Sequence, residues 1–306
     1  MIRTLYPVDL LPLFFSLGRM PPNQAITSDS LSELSPTSPR AIIEHWIPLT
    51  NRRQTWLFLE RGRIRGLASV RAWPTSSTWR VDCVHGDGRF CLALLDKVSA
   101  TAARKGVRKL FLRVASGSLL LDEARRCGFK PYNIDYFYRY SGTPVVKEHA
   151  LPKQYNIRPV SRNDLYALFE LYRSTVPAQV RLAEGITLND WQETRARPYF
   201  LDQHRDFILA IESRLAAWIH LGSAGRTGCF NVLFHQLDDE GLDLLVSHAL
   251  LYLCGKSPIF CVVSSSQTRL LTLLERLEFE RLVESMSLVK EITVRVTEPR
   301  FVPMRA

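Results

Sequence analysis

The chain repeats its own beginning halfway along, and this duplication constrains its fold more than any single motif does. Residues 2–14 (IRTLYPVDLLPLF) align without gaps on residues 157–169 (IRPVSRNDLYALF). Both copies share an Ile-Arg pair, then Asp-Leu, then Leu-Phe. The pattern predicts a short strand, an aspartate that caps a helix start, and an apolar helix face. The chain is therefore expected to contain two copies of one structural unit.

The two copies also end alike. In each copy an apolar strand pattern leads through small polar residues into a helix, which stops before a phenylalanine and a further strand. Ile2 and Phe129 are 127 positions apart, and Ile157 and Phe279 are 122 apart. The predicted strands are Lys109–Val114 and Ile259–Val263, the helices Ser118–Cys127 and Gln267–Leu277, and the closing strands Tyr132–Tyr140 and Leu282–Val296.

Between these ends each copy shows three strand patterns followed by a long amphipathic helix. The predicted element order in each copy is β-α-β-β-β-α-β-α-β, with room for a second early helix. This is an α/β architecture of the α+β type, with a mixed sheet in each copy. A chain of 306 residues has the length of two domains. We predict a first repeat at 1–145 and a second repeat at 155–306, joined by a linker in the proline-containing stretch 141–155, and a long mobile loop at 19–40.

The net charge of +10 is confined to the first half of the chain. Residues 1–150 hold 22 Lys and Arg against 12 Asp and Glu, whereas residues 151–306 hold 18 of each. A basic half suits an anionic partner, such as a cofactor phosphate, an acidic protein or nucleic acid. The sequence favours a solubilising surface and disfavours nucleic acid, because no aromatic side chains alternate with the basic ones.

The six cysteines predict buried, reduced thiols, because none forms a C-x-x-C pair and each lies in an apolar stretch. Reduced thiols suit a cytoplasmic location. The histidines show no zinc-ligand spacing, so no metal site is predicted. No apolar run is long enough to cross a membrane. The apolar stretch Leu10–Leu17 is expected to be an amphipathic helix, since no secretory cleavage site follows it.

The element order, together with the strand-loop-helix stretch Val107–Phe129 (VRKLFLRVASGSLLLDEARRCGF), resembles the GNAT N-acetyltransferase superfamily. The resemblance implies two tandem GNAT-like acyl-CoA N-acyltransferase folds that together cover nearly the whole chain. It further implies acetyl-CoA as the cofactor and a small amine or a peptide as the acceptor. Fold alone does not establish activity, so each site position is compared with this sequence in turn.

The resemblance implies a loop of the form Q/R-x-x-G-x-G/A that opens the long helix and binds the cofactor pyrophosphate through backbone N–H groups. In the second repeat Gln236 and Gly241 match this pattern, but Asp239 replaces the first glycine. Asp239 lies between two more carboxylates, Asp238 and Glu240. The favoured interpretation is that these acidic residues stabilise the helix start and bind no phosphate.

In the first repeat Arg89 and Cys91 stand at the two glycine positions of that pattern, so the pattern fails. The preceding residues are nonetheless glycine-rich, and a shifted phosphate site built from Gly86, Gly88 and Arg89 is one interpretation. An ordinary strand-to-helix turn is the equally supported alternative. The basic charge makes the first repeat the better candidate for binding acetyl-CoA.

The general acid implied by the resemblance is a tyrosine four residues before the Gly-Phe element. Ala124 and Leu274 occupy these positions and cannot transfer a proton. Asp82 in the first repeat, and Asn231 or His235 in the second, are the only candidates for a base on the third strand of each copy. Two hypotheses follow: an acetyltransferase with degenerate cofactor loops, or a catalytically silent tandem pseudoenzyme that serves as a binding or structural module.

Overall fold

The structure is a computed structural model that describes residues 1–27, 53–73, 77–142, 152, 154–196, 203–212 and 214–293. Both repeats show the predicted order of elements, and the fold class is confirmed. The first repeat contains β1 Ile2–Thr4, a 3-10 turn Pro7–Asp9, α1 Leu10–Leu17, β2 Arg53–Glu60, β3 Arg63–Ala72, β4 Thr78–His85, α2 Gly88–Arg104, β5 Lys109–Ala115, α3 Leu120–Arg126 and β6 Lys130–Tyr140. The second contains β7 Tyr155–Pro159, a 3-10 turn Arg162–Asp164, α4 Leu165–Thr175, α5 Ala178–Glu184, α6 Leu188–Ala196, β8 Gln203–Ile211, β9 Arg214–Ala224, β10 Thr227–Phe234, α7 Asp239–Tyr252, β11 Ile259–Ser264, α8 Thr268–Arg276 and β12 Glu280–Glu291.

The strands of both repeats form one twelve-stranded sheet in which the repeats exchange their last strands. The strand order is β1-β2-β3-β4-β5-β12-β6-β11-β10-β9-β8-β7. Strand β12 pairs with β5 of the first repeat, and β6 pairs with β11 of the second. The division at 1–145 and 155–306 therefore stays a prediction about the sequence repeats, since the sheet itself is shared between them.

Helices cover both faces of this sheet. Helices α2, α3, α7 and α8 pack on one side, here called the back face, through two large apolar clusters, one for each repeat. Helices α1 and α4 pack on the opposite side, the front face, through two smaller clusters. Leu288 of β12 is fully buried in the back-face cluster of the first repeat, and Tyr138 of β6 lies in that of the second. The exchanged strands thus contribute to the core of the opposite repeat.

The repeated Ile-Arg and Asp-Leu motif encodes a two-bond ion pair at the start of each copy. The Arg3 guanidinium nitrogens lie 2.5 and 2.6 Å from the Asp9 carboxylate oxygens, and those of Arg158 lie 2.7 Å from Asp164. Asp9 also accepts a bond from the Tyr6 backbone N–H at 2.8 Å, so it caps the 3-10 turn rather than the α-helix that follows. The arginine, and in second place the backbone N–H, lower the pKa of Asp9. The arginine likewise holds the pKa of Asp164 far below its ordinary value.

The described residues bear on the predictions for the cysteines, the loop and the linker. The six cysteines are free thiols, but the prediction that all are buried is wrong for Cys254, which is exposed, and Cys229 is only half-buried. The predicted 19–40 loop is described only to Thr27, and residues 143–151 of the predicted linker also lie outside the described residues. Within the described part of the chain, no helix combines the length and apolar character needed to cross a bilayer, and no group of side chains there could hold a metal ion.

Candidate functional site

The sheet opens at two places, where a pair of neighbouring parallel strands moves apart. Strands β4 and β5 pair only over Thr78–Arg80 and Lys109–Phe111. Strands β10 and β11 pair only over Gly228–Phe230 and Ile259–Cys261. Beyond these pairs the facing backbone N–H and C=O groups need other partners, because unpaired buried backbone groups are costly. Each opening is therefore a place where an extended chain with amide groups could bind.

In the first repeat the opening is filled by the protein's own chain. The Gln24 N–H donates to the Val84 carbonyl of β4 at 3.0 Å, and the Ile26 N–H donates to the Arg113 carbonyl of β5 at 2.8 Å. Ala25 forms an antiparallel bridge with Val114. Residues 23–26, here called the plug, thus lie between the two strands as a short extra strand.

Two side chains fix the plug in place. Asn23 accepts bonds from the Val84 and Ala25 N–H groups at 2.9 and 3.1 Å, and its Nδ2 donates to the Asp82 carbonyl at 3.3 Å. Gln24 Nε2 donates to the Gly86 carbonyl at 2.9 Å, and its Oε1 accepts from Ser118 at 3.2 Å. The plug therefore satisfies the edge of β4 and also binds the loop that follows it.

In the second repeat, the described residues that reach into the opening do so through their side chains. The Gly228 N–H donates to the Pro258 carbonyl at 3.0 Å, so the backbone groups of Gly228 point towards β11. Backbone N–H and C=O groups alternate in direction along a strand, so those of Val232 and Phe234 point to the same side. Gln267 Nε2 donates to the Val232 carbonyl at 2.9 Å, and Thr175 Oγ1 donates to the Phe234 carbonyl at 3.3 Å. No main-chain segment among the described residues pairs with these edges.

The loop residues predicted to bind the cofactor in the first repeat lie around the start of α2. Gly86 has φ +134°, and a Cβ there would meet backbone atoms of Arg65 and Gly66 at 3.2 and 3.3 Å, so the fold itself requires this glycine. A Cβ on Gly88 would lie 3.1 Å from a carboxylate oxygen of Glu123. Arg89 is largely exposed and forms a salt bridge with Glu60 at 3.1 Å. A cofactor role for Gly86, Gly88 and Arg89 stays a prediction.

The acidic loop of the second repeat caps its own helix. Asp238 Oδ1 accepts the Gly241 N–H at 2.9 Å, and the Tyr155 hydroxyl donates to the same carboxylate at 2.6 and 2.7 Å. The tyrosine first, then the backbone N–H, lower the pKa of Asp238. One of the N–H groups at the start of α7 is thereby satisfied by the protein's own carboxylate. Gln236 is exposed with φ +50°, and its predicted cofactor role also stays a prediction.

Gly241 is needed for packing. A Cβ there would lie 2.6 Å from Leu237 Cδ1 and 2.9 Å from Asp238 Oδ1. We expect Gly241→Ala to lower the free energy of unfolding by about 1–3 kcal/mol, because the added methyl displaces the capping aspartate and overpacks the helix start. The matched variant Gly88→Ala should change it by less than about 1 kcal/mol, since only the end of a flexible glutamate must move. Urea denaturation measures both, and equal effects would show that Gly241 has no special packing role.

A groove of about 240 Å³ lies between the start of α7 and helix α8, next to the second opening. Its lining includes two arginines. The Arg269 guanidinium binds the Leu237 carbonyl and the Asp239 carboxylate, and Arg276 binds Asp243 at 2.9 Å. Both arginines are substantially exposed, and their partner carboxylates are exposed too. The groove thus presents two cations that a phosphate group could recruit.

The residues at the two acid positions lie in the core, and the candidate base of the first repeat is held in an ion pair. Ala124 and Leu274 are completely buried in the back-face clusters. Asp82 is also buried, with Oδ2 lying 2.5 Å from an Arg53 guanidinium nitrogen and 3.6 Å from Arg71. Asp82 is thus held in an ion pair in the interior of the protein. Tyr138, one of the alternating tyrosines of β6, is core, and burial raises its pKa to about 12.

A row of polar side chains that the sequence analysis missed crosses the front face of the second repeat. Asp206 on β8 pairs in register with His220 on β9, which pairs in register with Asn231 on β10. His220 Nδ1 lies 2.8 Å from Asp206 Oδ1. Of the two sequence candidates on β10, Asn231 is exposed within this row, whereas His235 lies past the end of the strand. The only sequence signal for Asp206 and His220 is a polar residue within an apolar strand.

Comparison with solved structures identifies the fold. A tandem GNAT protein from the clavulanic acid biosynthesis pathway superposes with a TM-score of 0.60 at 14% identity, covering 96% of this chain and 98% of its own. A GCN5-related N-acetyltransferase from Sphaerobacter thermophilus gives 0.59 at 16% identity and 95% coverage of both chains. A putative acetyltransferase from Pyrococcus horikoshii gives 0.54 at 11% identity, covering 96% of this chain and 90% of its own.

At the level of sequence, no protein-family model matches the chain, and no curated protein matches it either. The identities to the solved structures are low, so what they establish is architecture. The superpositions extend over both repeats, and the order of elements in each repeat agrees with the order expected from the sequence. The chain therefore has a tandem GNAT-like fold.

Proposed function

We propose that this protein is an acetyl-CoA-dependent N-acetyltransferase that binds its cofactor in the second repeat, in the opening between β10 and β11. The observation that carries the proposal is the contrast between the two openings. The plug demonstrates that such an opening binds an extended chain through amide groups. The pantetheine arm of coenzyme A is an extended chain with two amides, so it suits the equivalent opening of the second repeat, where no backbone segment of the described residues pairs with the strand edges.

Two arginines beside the second opening could hold the phosphates of the cofactor. A pyrophosphate in the groove would lie between Arg269 and Arg276, which would exchange their exposed carboxylate partners for phosphate oxygens. Among the N–H groups at the start of α7, that of Gly241 is already bound by Asp238. The divergent loop thus suits a site in which side chains, rather than a glycine-rich loop, hold the phosphates.

The net positive charge of the first repeat would instead favour a cofactor site in that repeat. The competing site at Gly86, Gly88 and Arg89 lies beside an opening that the plug occupies, so a cofactor there would have to displace five backbone and side-chain hydrogen bonds made by Asn23 and Gln24 across the opening. The structure of the tandem GNAT protein from the clavulanic acid biosynthesis pathway is of a form without AcCoA. We propose acetyl-CoA as the cofactor of this chain, with a small amine or a peptide as the acceptor.

Calorimetric titration with acetyl-CoA tests the proposal, and the two repeats supply matched variants. Arg276 and Arg126 occupy equivalent positions on α8 and α3. Arg276 forms a salt bridge with Asp243 of α7, and Arg126 forms one with Glu123 of its own helix. We expect one site per chain, weakened on the order of tenfold or more by Arg276→Glu and unchanged by Arg126→Glu. Arg89→Glu should also be silent.

Two outcomes contradict the proposal in different ways. Binding that is lost in Arg89→Glu and kept in Arg276→Glu would move the cofactor to the first repeat. No heat at millimolar acetyl-CoA would instead favour a catalytically silent tandem module that uses the fold for binding or structure.

A further inference from the structure

We propose that His220 is the proton acceptor for the attacking amine, and that Asp206 orients it. The proposal rests on the proposed function, since it concerns transfer from acetyl-CoA bound at the second opening. It assigns a catalytic role to a residue that lies outside the third-strand positions where the resemblance implies a base.

The register of three strands brings His220 to the opening. Asn231 is the first residue of β10 beyond Phe230, the last residue that pairs with β11. His220 is the direct cross-strand partner of Asn231, and such partners have Cβ atoms about 5 Å apart. An amine that attacks a thioester held at the point of divergence would therefore lie within reach of His220, directly or through one water.

Asp206 sets the orientation of the imidazole. Its Oδ1 lies 2.8 Å from His220 Nδ1, which places a proton on Nδ1 and leaves Nε2 as the acceptor. The ring lies between the rings of Trp218 and His204, with centroids 6.0 Å from each. The His220 side chain is 12% exposed and that of Asp206 14%, so the pair is sheltered without being sealed off.

The first repeat provides an internal comparison. The bulge between β2 and β3 matches that between β8 and β9, which aligns Asp206 and His220 with Thr55 and Ser69. Cys83 pairs in register with Ser69 as Asn231 does with His220. Thr55, Ser69 and Cys83 are all buried. None is a proton acceptor near neutral pH. The histidine–carboxylate pair therefore belongs to the repeat whose opening pairs with no backbone segment in the described part of the chain, which a purely structural role for the row does not explain.

The transfer of the acetyl group requires one imidazole, that of His220, to accept the proton of the amine. The amine lone pair attacks the thioester carbonyl carbon, a C–N bond forms, and the proton leaves the amine nitrogen for His220 Nε2. The C–S bond then breaks, and the coenzyme A thiolate takes a proton from the imidazolium or from solvent. This sequence needs no tyrosine acid, in agreement with Ala124 and Leu274 at those positions.

Carbethoxylation of histidine, followed by peptide mass spectrometry, tests the placement without knowledge of the acceptor. We expect saturating acetyl-CoA to slow modification of His220 at least tenfold. His204, which is exposed and lies one strand further from the opening, should react at the same rate with and without acetyl-CoA. Equal reaction of His220 in both conditions would overturn the proposal.

Kinetics then test the role of the residue. With spermidine and a lysine-containing peptide as acceptors, His220→Gln should slow thiol release from acetyl-CoA by about 10²–10⁴-fold, and added imidazole should restore part of the rate in His220→Ala. Calorimetry should show unchanged acetyl-CoA affinity in both variants. A wild-type rate in His220→Gln would overturn the proposal that His220 accepts the proton. If the wild-type chain does not bind acetyl-CoA at all, the proposed function is overturned instead.

Discussion

Residues 1–146 expressed alone are expected to form no stable monomer. The fragment lacks β12, which pairs with β5 over seven residues and separates β5 from β6. It also loses Leu288, which is fully buried in the first apolar core. Because β6 is the counterpart of β12, two fragments could exchange β6 and restore the missing strand. We expect a dimer whose unfolding midpoint rises with concentration, measured by light scattering and denaturation.

The matched control is the full chain, whose unfolding midpoint should not depend on concentration. Mixing the fragment with residues 147–306 should recover a 1:1 complex with the stability of that chain. A monomeric fragment that unfolds cooperatively near the midpoint of the full chain would show that the strand exchange contributes little to stability.

Asn23→Ala is expected to lower the free energy of unfolding by about 2–4 kcal/mol. The substitution leaves the Val84 N–H and the Asp82 carbonyl without their partner, and both residues are buried. Each buried polar group left unsatisfied costs about 1–3 kcal/mol. The variant should also open the edge of β4, so backbone hydrogen exchange at Val84 should become faster.

Gln267→Ala serves as the matched control in the second repeat, since this side chain makes a single bond across its opening. Its expected cost is about 1 kcal/mol. Equal effects of the two substitutions would mean that the plug is held no more firmly than a lone side chain, and the distinction between the two openings would lose its basis.

The order of elements was predictable because each element has a local signal. The Ile-Arg and Asp-Leu frame marks both starts, and the structure shows why it recurs: Arg3 and Arg158 bind Asp9 and Asp164 with the same geometry. The burial of Ala124 and Leu274 was equally predictable, because helical periodicity alone shows which apolar residues of a helix face the core.

The strand exchange was not predictable, because β6 and β12 have similar patterns and either could complete either repeat. The choice depends on contacts between residues far apart in the chain, such as Ser287 of β12, which donates to the buried Asp135 of β6 at 2.7 Å. Local sequence carries no information about such partners.

The proposed site in the second repeat was not predictable for the same reason. Residues 21–24 contain two prolines and an asparagine, which is typical of a loop, yet the plug pairs with strands about 60 and 90 positions away. Asp206 and His220 meet only once the register of β8 and β9 is known. The basic charge and the glycine-bearing loop therefore favoured a cofactor site in the first repeat, whereas the strand register and the plug support a site in the second.

Hydrogen exchange with and without acetyl-CoA, resolved by peptide, tests the central claim most directly. If the cofactor binds in the second opening, the backbone of Val232–Phe234 and of Val262–Ser264 gains protection. Val84 and Arg113, which the plug already covers, keep the same rates. Protection confined to Asp82–Gly86 and Arg113–Ala115, with no change at Val232–Phe234, would contradict the account and place the cofactor in the first repeat.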